Sequence, residues 1–332
     1  MNILGQIGNT PLLKLTRVIE SPDLEIYVKC EFMNPGGSIK DRMALSMIEE
    51  AEKSGKLKPG GMIVDQSTGN TGPALAFVGA VKGYKVQLFL PAQLSSSYNP
   101  ADRIRIARLF GCDVTPIDLQ DHIDNINALD DVERAAAFVA VRMKQCYDLQ
   151  ESDPSIWWSN QLCNVDNTKA HREHTGKEIL EQMDGRVDAW IASIGTGGTL
   201  LGVAEALKEA NPDLVVSGVV PTDDQRTEWI RSRAIHKFLE SFGMPKFRFL
   251  IEDILEKNIM DHEIVVRNED AKNMADRLCR EEGLFCGMSS GANVYAAVEI
   301  AEKMKKGSKI VTVLVDRRDR YFAEYPNEHY VV

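Results

Sequence analysis

The sequence predicts an α/β protein of two domains, each with a mostly parallel, twisted sheet that is covered by helices. Continuous apolar runs such as YKVQLFLP (residues 84–91) are typical of strands buried on both faces of such a sheet. Helical patterns separate these runs, and glycine-bearing turns join several strands to the helix that follows. The 332 residues are enough to form two domains of this kind.

Strand and helix alternate along the first half of the chain. Apolar runs bounded by turn residues indicate strands, and apolar residues spaced three and four apart indicate helices. Predicted strands lie at 24–32, 61–67, 84–91 and 112–117, and predicted helices at 39–54, 70–82, 101–110 and 128–147. This alternation predicts parallel pairing with helices on both faces of the sheet.

A loop at 149–160, which contains Trp157 and Trp158, is the predicted domain boundary. Beyond it, predicted strands lie at 187–195, 214–220 and 309–315, and predicted helices at 168–183, 198–210, 268–283 and 289–304. We therefore predict domains 1–150 and 151–332. About the first 35 residues are expected to cross to the second domain.

The composition argues against several kinds of partner. A formal charge of −10 disfavours nucleic acid, because phosphate backbones require a basic protein surface. No apolar run approaches the ~20 residues that span a bilayer, and the N-terminus lacks a signal-peptide pattern. We expect a cytoplasmic protein that binds neither membrane nor nucleic acid. The basic run DRRDRY (Asp316–Tyr321) is predicted to be a solvated, ion-paired turn.

The sequence predicts no metal site. Its six cysteines form no CxxC pair, so we expect them to be reduced and mostly buried. His171 and His174 are three residues apart but have no cysteine or carboxylate neighbours at metal-ligand spacing. They are therefore predicted to be polar residues of a helix.

The turn GTGGT (Gly195–Thr199) follows a predicted strand and opens a predicted helix. Its glycines let backbone N–H groups converge, and the helix N-terminus adds partial positive charge, so the turn suits a phosphate. A tight turn without a ligand is the alternative interpretation. A nicotinamide dehydrogenase is disfavoured, because Leu200 stands where a Rossmann fingerprint needs its third glycine.

A second turn, STGNTG (Ser67–Gly72), also lies between a predicted strand and a predicted helix. It supplies hydroxyls, an amide and backbone donors at a helix N-terminus, and these groups suit a carboxylate. The alternative is simple N-capping of the helix by Ser67, Thr68 or Asn70.

Lys40 stands at the glycine-rich start of a helix, in GGSIKDR. A cation there opposes the helix dipole, and burial lowers the pKa of a lysine enough to make it a nucleophile. A solvated lysine is the alternative. The turn GMSSGA (Gly287–Ala292) opens another helix, which Ser289 or Ser290 could cap. A nucleophilic lysine, a phosphate turn and a carboxylate turn together suggest pyridoxal 5′-phosphate (PLP) held as a Schiff base.

As a set, these motifs resemble the cysteine synthase and cystathionine β-synthase family of fold-type II PLP enzymes. IGNTPLLKL, NPGGSIKDR, STGNTGPALAF, GTGGTLLG and GLFCGMSSGAN occur in the family's order and at similar spacing. The resemblance covers about residues 1–220 and 265–320. It implies a fold like that of the tryptophan synthase β-subunit, PLP as cofactor and a homodimer.

The resemblance also implies a role for each matching residue. Lys40 would hold the cofactor as a Schiff base and later move the substrate's α-proton. Ser289 would face the pyridine nitrogen, and Asn70 would hydrogen-bond the pyridoxal 3′-oxygen. The phosphate would be held by Gly195, Thr196, Gly197, Gly198 and Thr199, and the substrate carboxylate by Ser67, Thr68, Thr71 and Gln161.

The implied reaction is β-replacement on an activated L-serine through an aminoacrylate, giving L-cysteine or a related β-substituted alanine. A serine at the pyridine nitrogen makes the ring a milder electron sink than an aspartate would, which favours elimination from the β-carbon. A sulfur or amine nucleophile then adds. Two alternatives stay open. One is a lyase or dehydratase that releases pyruvate, and the other is a catalytically silent relative that binds an amino acid.

The chain departs from the family pattern around the substrate. The loop LSSSYNPADRIR is longer than usual, residues 120–157 form an extension, and a different segment replaces the usual glycine-rich one at 222–249. That segment is rich in cations, namely Arg226, Arg231, Arg233 and Lys237. They form either a solvated helical face or a site where one arginine meets a phosphate. The longer loop and the extension resemble those of relatives that use O-phosphoserine. We therefore predict that O-phosphoserine is a better donor than O-acetylserine.

Overall fold

A computed structural model describes residues 2–19, 21, 23–92, 99–123, 128–221 and 228–324, without the side chains of 228–231 and 324. The strands are β1 (Leu12–Lys14), β2 (Glu25–Cys30), β3 (Met62–Gln66), β4 (Lys85–Pro91), β5 (Asp113–Ile117), β6 (Ile156–Trp158), β7 (Ala189–Ser193), β8 (Val215–Pro221), β9 (His262–Val266) and β10 (Lys309–Leu314). The helices are α1 (Lys40–Lys53), α2 (Thr71–Lys82), α3 (Ala101–Leu109), α4 (Asp131–Ser152), α5 (Val165–Ala170), α6 (Lys177–Gln182), α7 (Gly198–Ala210), α8 (Glu228–Ser241), α9 (Leu250–Glu256), α10 (Asn268–Glu282) and α11 (Met288–Lys303).

The chain divides into two compact units that interleave along the sequence. Unit 1 comprises Met1–Met47, Gln161–Ile230 and Arg248–Arg317, and unit 2 comprises Ile48–Asn160, Arg231–Phe247 and Arg318–Val332. The predicted domain boundary near residue 150 and the predicted crossing of the first residues stay predictions.

Unit 1 contains a six-stranded sheet in the order β1-β2-β10-β7-β8-β9. Every neighbouring pair is parallel except β1 and β2. The register places Ile310 of β10 opposite Ile26 of β2 and Ala189 of β7, and all three side chains are fully buried. Helix α11 packs on this centre through Val294 and Ala297, so the core of unit 1 lies between α11 and the sheet.

Unit 2 contains a four-stranded, wholly parallel sheet in the order β5-β4-β3-β6. Helices α2, α3 and α4 pack on its strands. The first nine residues of α2 are all buried, as expected for an apolar helix inside an α/β layer. The two parallel sheets covered by helices confirm the predicted fold class.

Several elements differ from the sequence prediction. Trp157 and Trp158 belong to strand β6, which pairs with β3, rather than to a loop. Strand β9 and helices α8 and α9 were not predicted. The single helix predicted at 168–183 is α5 followed by a π-helical turn at His171–Gly176 and then α6. Such π-helical turns are frequent at functional sites.

The prediction of a solvated turn at Asp316–Tyr321 is wrong. Asp316 is fully buried, and the Arg320 side chain is only 3% exposed. Within unit 2, Arg320 donates a hydrogen bond to Asn70, and Tyr321 lies under the guanidinium of Arg103 at 4.6 Å. Charged side chains can be buried here because polar and aromatic partners replace the lost water.

The structure holds no disulfide between any of the six cysteines, and four of them are buried. No group of three or more histidine, cysteine or carboxylate side chains in the described part of the chain could hold a metal ion. The described helices are all too short or too polar to cross a bilayer.

Candidate active site

Lys40 is the first residue of α1, and its neighbours order the turn before it. Asp41 Oδ2 accepts a hydrogen bond from the Gly36 N–H at 2.6 Å, and Ser38 Oγ accepts one from the Lys40 N–H at 3.3 Å. A Cβ atom on Gly36 would lie 2.5 Å from Asp41 Oδ1, so a larger residue there would displace the Asp41 carboxylate. The glycine-rich turn thereby fixes the lysine at the start of the helix.

The side chain of Lys40 is half-buried in unit 1. Burial lowers the pKa of its amine to about 8, because a charged ammonium loses hydration there. The neutral, nucleophilic form is therefore far more populated near neutral pH than for an ordinary lysine. This environment differs from the solvated lysine of the alternative interpretation.

The GTGGT turn joins β7 to α7. Gly197 has a φ of +91°, in the left-handed region that favours glycine, and a Cβ there would lie 3.3 Å from the Ile251 backbone nitrogen. By contrast, no atom lies within 4 Å of the position that a Cβ on Gly195 would take. One side of the turn is thus packed against α9, and the other leaves space for a ligand at the N-terminus of α7.

The hydroxyl of Thr196 in this turn contacts a fully buried asparagine of α5. Asn167 Nδ2 donates to Thr196 Oγ1 at 3.0 Å and to the main-chain oxygen of Gln161 at 2.9 Å. One amide group therefore joins the GTGGT turn to the segment that carries the predicted substrate ligand Gln161.

The second hydroxyl of the turn, on Thr199, lies 3.2 Å from Nε2 of His171. His171 is fully buried, and its Nδ1 lies 3.1 Å from Thr175 Oγ1. Burial, together with the positive charges of Lys40 and Arg42, holds the pKa of His171 well below its usual range, so the imidazole is neutral. Lys40, His171 and the GTGGT turn all belong to unit 1.

Helix α11 begins at Met288, and Gly287 is its N-cap without a side-chain hydrogen bond. Ser290 Oγ is used elsewhere, because it accepts a hydrogen bond from the Val315 N–H at 2.8 Å. Ser289 is half-buried, and its hydroxyl makes no hydrogen bond to any described residue. Neither serine caps the helix, and the Ser289 hydroxyl is available to a ligand.

The STGNTG turn lies in unit 2. Ser67 Oγ accepts hydrogen bonds from the N–H groups of Gly69 and Gly72, each at 3.2 Å. Gly72 is in the first turn of α2, so Ser67 does cap this helix. Asn70 makes no capping bond, and its Oδ1 instead accepts from Arg320 Nη1 at 2.9 Å.

The other predicted carboxylate ligands differ in burial and location. Thr71 and Gln161 are buried, whereas Thr68 is half-buried. Gln161 belongs to unit 1 and both threonines belong to unit 2. Their predicted roles toward the substrate stay predictions.

Two of the four cations predicted to recognise a phosphate lie outside the described part of the structure. Arg226 and the side chain of Arg231 lie outside the described residues, as does the loop at 93–98. Arg233 and Lys237 lie on α8 and are exposed. Recognition of a substrate phosphate by this segment therefore stays a prediction.

Two residues that contact the GTGGT turn, Asn167 and His171, were not predicted to belong to the site. His171 is a buried partner of the turn rather than an ordinary polar residue of a helix surface. The available signal was their spacing of four residues, which places two polar side chains on one helical face just after Gln161.

These residues fit PLP. The lysine has a lowered pKa, the GTGGT turn leaves open space at Gly195 beside a helix N-terminus, and two threonine hydroxyls belong to the same turn. A neutral serine begins another helix of the same unit. An aldehyde-bearing phosphate ester needs such a nucleophile and such a set of donors.

Comparison with known proteins decides the family. Residues 3–316 match the family model for pyridoxal-phosphate dependent enzymes. The chain belongs to this family. A cysteine synthase of Staphylococcus aureus is 36% identical over 323 residues, which cover 97% of this chain and 95% of the relative. The PLP enzyme described here therefore aligns with that relative over nearly its whole length.

Solved structures have the same fold. A hydrogen sulfide-producing enzyme from Fusobacterium nucleatum is 32% identical with a TM-score of 0.77, covering 96% of this chain and 99% of that one. An O-acetylserine dependent cystathionine beta-synthase from Helicobacter pylori is 28% identical with a TM-score of 0.76, covering 97% and 96%. The comparisons confirm the predicted family, fold class, cofactor and cysteine synthase-like enzyme class. They also support β-replacement on an activated serine.

Proposed function

We propose that this PLP enzyme performs β-replacement on an activated L-serine, and that O-phosphoserine is its better donor. One observation carries the assignment of the catalytic centre. A lysine whose amine has a pKa lowered to about 8 belongs to the same unit as the GTGGT turn, in which Thr199 contacts the buried His171. A base that titrates near neutral pH suits both the attachment of the cofactor and the transfer of the substrate's α-proton.

The proposed work of Lys40 has two parts. Its neutral amine would hold the cofactor covalently, with the aldehyde oxygen of the cofactor leaving as water. When bound, PLP accepts the electron pair left on the substrate's α-carbon. The Lys40 amine, when not bound to the cofactor, would accept the α-proton of the substrate and later return a proton to the same carbon of the product.

The remaining residues are proposed to bind and orient the cofactor. The backbone N–H groups at the start of α7, with the hydroxyls of Thr196 and Thr199, are proposed to bind the phosphate group. Neutral His171 adds no charge beside Thr199. Arginine can only donate hydrogen bonds, so Asn70 Oδ1 must be the atom that faces Arg320. Asn70 Nδ2 therefore points away from Arg320 and can donate to another group. This orientation supports the proposed hydrogen bond from Asn70 to the 3′-oxygen of the cofactor.

The proposed carboxylate ligands are Ser67, Thr68, Thr71 and Gln161. The nucleophile is proposed to be a sulfur or amine compound, and the enzyme is proposed to act as a homodimer in the cytoplasm. These proposals are supported by the family resemblance, and light scattering of the purified protein measures the assembly directly.

Ser289 is proposed to face the pyridine nitrogen with a neutral hydroxyl. We expect Ser289→Asp to keep that nitrogen protonated, to shift the absorbance of the bound cofactor and to slow replacement by about tenfold or more. Ser289→Ala is the control, and it should change the rate by less than about threefold, because a neutral hydrogen bond contributes little. Absorbance spectra and steady-state rates measure both variants. If Ser289→Asp has the spectrum and rate of the unmodified enzyme, Ser289 does not face the pyridine nitrogen.

A second candidate function is β-elimination without replacement. The similarity to a hydrogen sulfide-producing enzyme favours it, since release of sulfide from cysteine leaves pyruvate and ammonia. The two candidates differ in products, because replacement consumes a nucleophile and gives an amino acid, whereas elimination gives a keto acid.

One experiment tests both the reaction and the donor. O-phosphoserine and O-acetylserine are supplied at equal concentration, with and without sulfide, and phosphate, acetate, cysteine and pyruvate are quantified. We expect cysteine in the presence of sulfide and faster release of phosphate than of acetate. Pyruvate as the main product under every condition would support elimination, and the absence of any product would support a silent relative.

Arginine variants resolve the choice of donor. If an arginine of the divergent segment meets the phosphate, Arg226→Ala, Arg231→Ala or Arg233→Ala should lower kcat/KM for O-phosphoserine by about tenfold or more and spare O-acetylserine. Arg105→Ala is the matched control, because Arg105 is an exposed arginine on α3. Faster reaction with O-acetylserine, or full O-phosphoserine activity in all three variants, would contradict the proposed donor.

A further inference from the structure

The hydroxyl of Thr196 receives two hydrogen bonds. Asn167 Nδ2 donates to its oxygen at 3.0 Å, and the Gly198 N–H donates at 3.4 Å. A hydroxyl has two acceptor lone pairs and one proton, so these two donors occupy both lone pairs. No described residue accepts the proton, and the Thr196 side chain is partly exposed. The hydroxyl is thus left as a hydrogen-bond donor toward a group that no described residue supplies.

The orientation of the Asn167 amide is fixed by its partners. The main-chain oxygen of Gln161 can only accept, so the nitrogen of the amide must face it at 2.9 Å. The amide oxygen consequently points the other way. It is fully buried, has no hydrogen-bond partner in the described part of the chain, and lies 2.4 Å from the position of a Cβ on Gly198. A buried oxygen without a partner lowers the free energy of unfolding. The arrangement therefore keeps the Asn167 NH₂ group directed at Thr196 and Gln161 at the expense of stability.

We propose that Asn167 is a positioning residue that aims the Thr196 proton at the phosphate group of PLP. This proposal rests on the proposed function, which assigns phosphate binding to the GTGGT turn. Asn167 acts through Thr196 and does not itself touch the phosphate. Its second hydrogen bond, to the main chain of Gln161, holds the turn and the segment of the proposed carboxylate ligand in one fixed arrangement.

Two substitutions at Asn167 separate positioning from packing. Asn167→Asp keeps the size of the side chain but replaces the donor by an acceptor, which captures the Thr196 proton and adds negative charge near the phosphate. Asn167→Ala removes the donor but leaves the hydroxyl free to rotate toward the phosphate. We expect the affinity of the apoenzyme for PLP to fall by about tenfold in the Ala variant and by about a hundredfold in the Asp variant. A role in packing alone predicts the reverse order, because Asp fills the space and Ala does not.

The measurement is titration of apoenzyme with PLP at about pH 8, where an aspartate is ionised. Asn164→Asp is the matched control. Asn164 Oδ1 accepts from the Asp166 N–H at the start of α5, so an aspartate there keeps the cap and adds the same charge nearby. It should change the affinity by less than about threefold. Pyridoxal, which lacks the phosphate, should bind equally to the unmodified enzyme and to Asn167→Asp.

The outcomes decide between positioning and other roles. Equal losses in the two Asn167 variants, a larger loss in the Ala variant, or an equal loss for pyridoxal would overturn the positioning role. Equal affinity of the unmodified enzyme for pyridoxal and PLP would show that the GTGGT turn does not bind the phosphate group, and it would contradict the proposed function. If Asn167→Asp does not fold, Asn167→Ala is measured in a Thr196→Val background. There its effect on PLP affinity and on the phosphorus NMR shift of bound PLP should vanish, and a persistent effect would overturn the proposal.

Discussion

Lys40→Ala should lower kcat/KM by about three to four orders of magnitude, because cofactor attachment and α-proton transfer both depend on one amine. The loss is measured by steady-state assay with the preferred donor and sulfide. Lys53→Ala is the matched control, because Lys53 ends the same helix and is exposed. It should leave kcat/KM within about twofold. A Lys40→Ala enzyme with ordinary turnover would remove the lysine from the chemistry.

The same variant should change the pH dependence of stability of the apoenzyme. The pKa of Lys40 is about 8 in the folded protein and 10.5 in the reference state, so the unfolded chain binds more protons between those values. The stability of the unmodified apoenzyme should therefore rise, relative to Lys40→Ala, as pH increases from about 8 to about 10.5. The expected relative gain is about 3 kcal/mol, measured by urea unfolding. No difference in slope would show that the amine is solvated.

Arg42→Met is expected to lower the free energy of unfolding of the apoenzyme by about 3–5 kcal/mol. Arg42 donates to Glu31 at 2.6 and 2.7 Å and to Glu178 at 2.7 Å. Glu31 is fully buried, so removal of the guanidinium leaves a carboxylate without its main counter-charge in a low-dielectric interior. Urea denaturation measures the loss. The matched control is Arg105→Met, an exposed arginine paired with Asp102, which should cost less than about 1 kcal/mol.

The loss from Arg42→Met should also depend on pH. Burial alone would raise the pKa of Glu178, but hydrogen bonds from Arg42 and Lys29 overcome burial and lower it to about 2. A lowered carboxylate pKa stabilises the folded state above the unfolded value of 4.5, and this contribution disappears as pH falls toward about 2. The difference between Arg42→Met and the unmodified protein should therefore shrink over that range. A constant difference across it would mean that the ion pairs contribute nothing to stability.

The strands and helices that carry the glycine turns could be predicted closely from the sequence. Helix α7 begins at Gly198 as predicted, and α2 begins within one residue of its predicted start. Those boundaries are determined locally by glycine, by polar capping groups and by apolar periodicity. The predictions failed where pairing is remote. Strand β6 has only three residues, and β9 begins with two exposed polar residues at the edge of its sheet, so the apolar run of each strand is only three residues long.

The residues of the candidate site also divide into those that local sequence marks and those that depend on remote partners. Lys40, the GTGGT turn and Ser289 could be selected because each stands at a helix start that the sequence marks. Asn167 and His171 could not, because their partners Thr196 and Thr199 are 29 and 28 residues away along the chain. Burial of Arg320 likewise depends on Asn70, which is 250 residues away. Composition gave no sign that an arginine in a charged run would be buried.

Reduction of the purified holoenzyme with borohydride tests the central assignment most directly. Borohydride makes the link between cofactor and lysine permanent, and mass spectrometry of the digested protein then identifies the modified residue. We predict a single modified peptide that contains GGSIKDR, with the cofactor mass on Lys40 and none on Lys29 or Lys53. Modification of another lysine, or a reduced protein that still releases all its PLP on denaturation, would contradict the assignment of Lys40 as the cofactor-bearing residue.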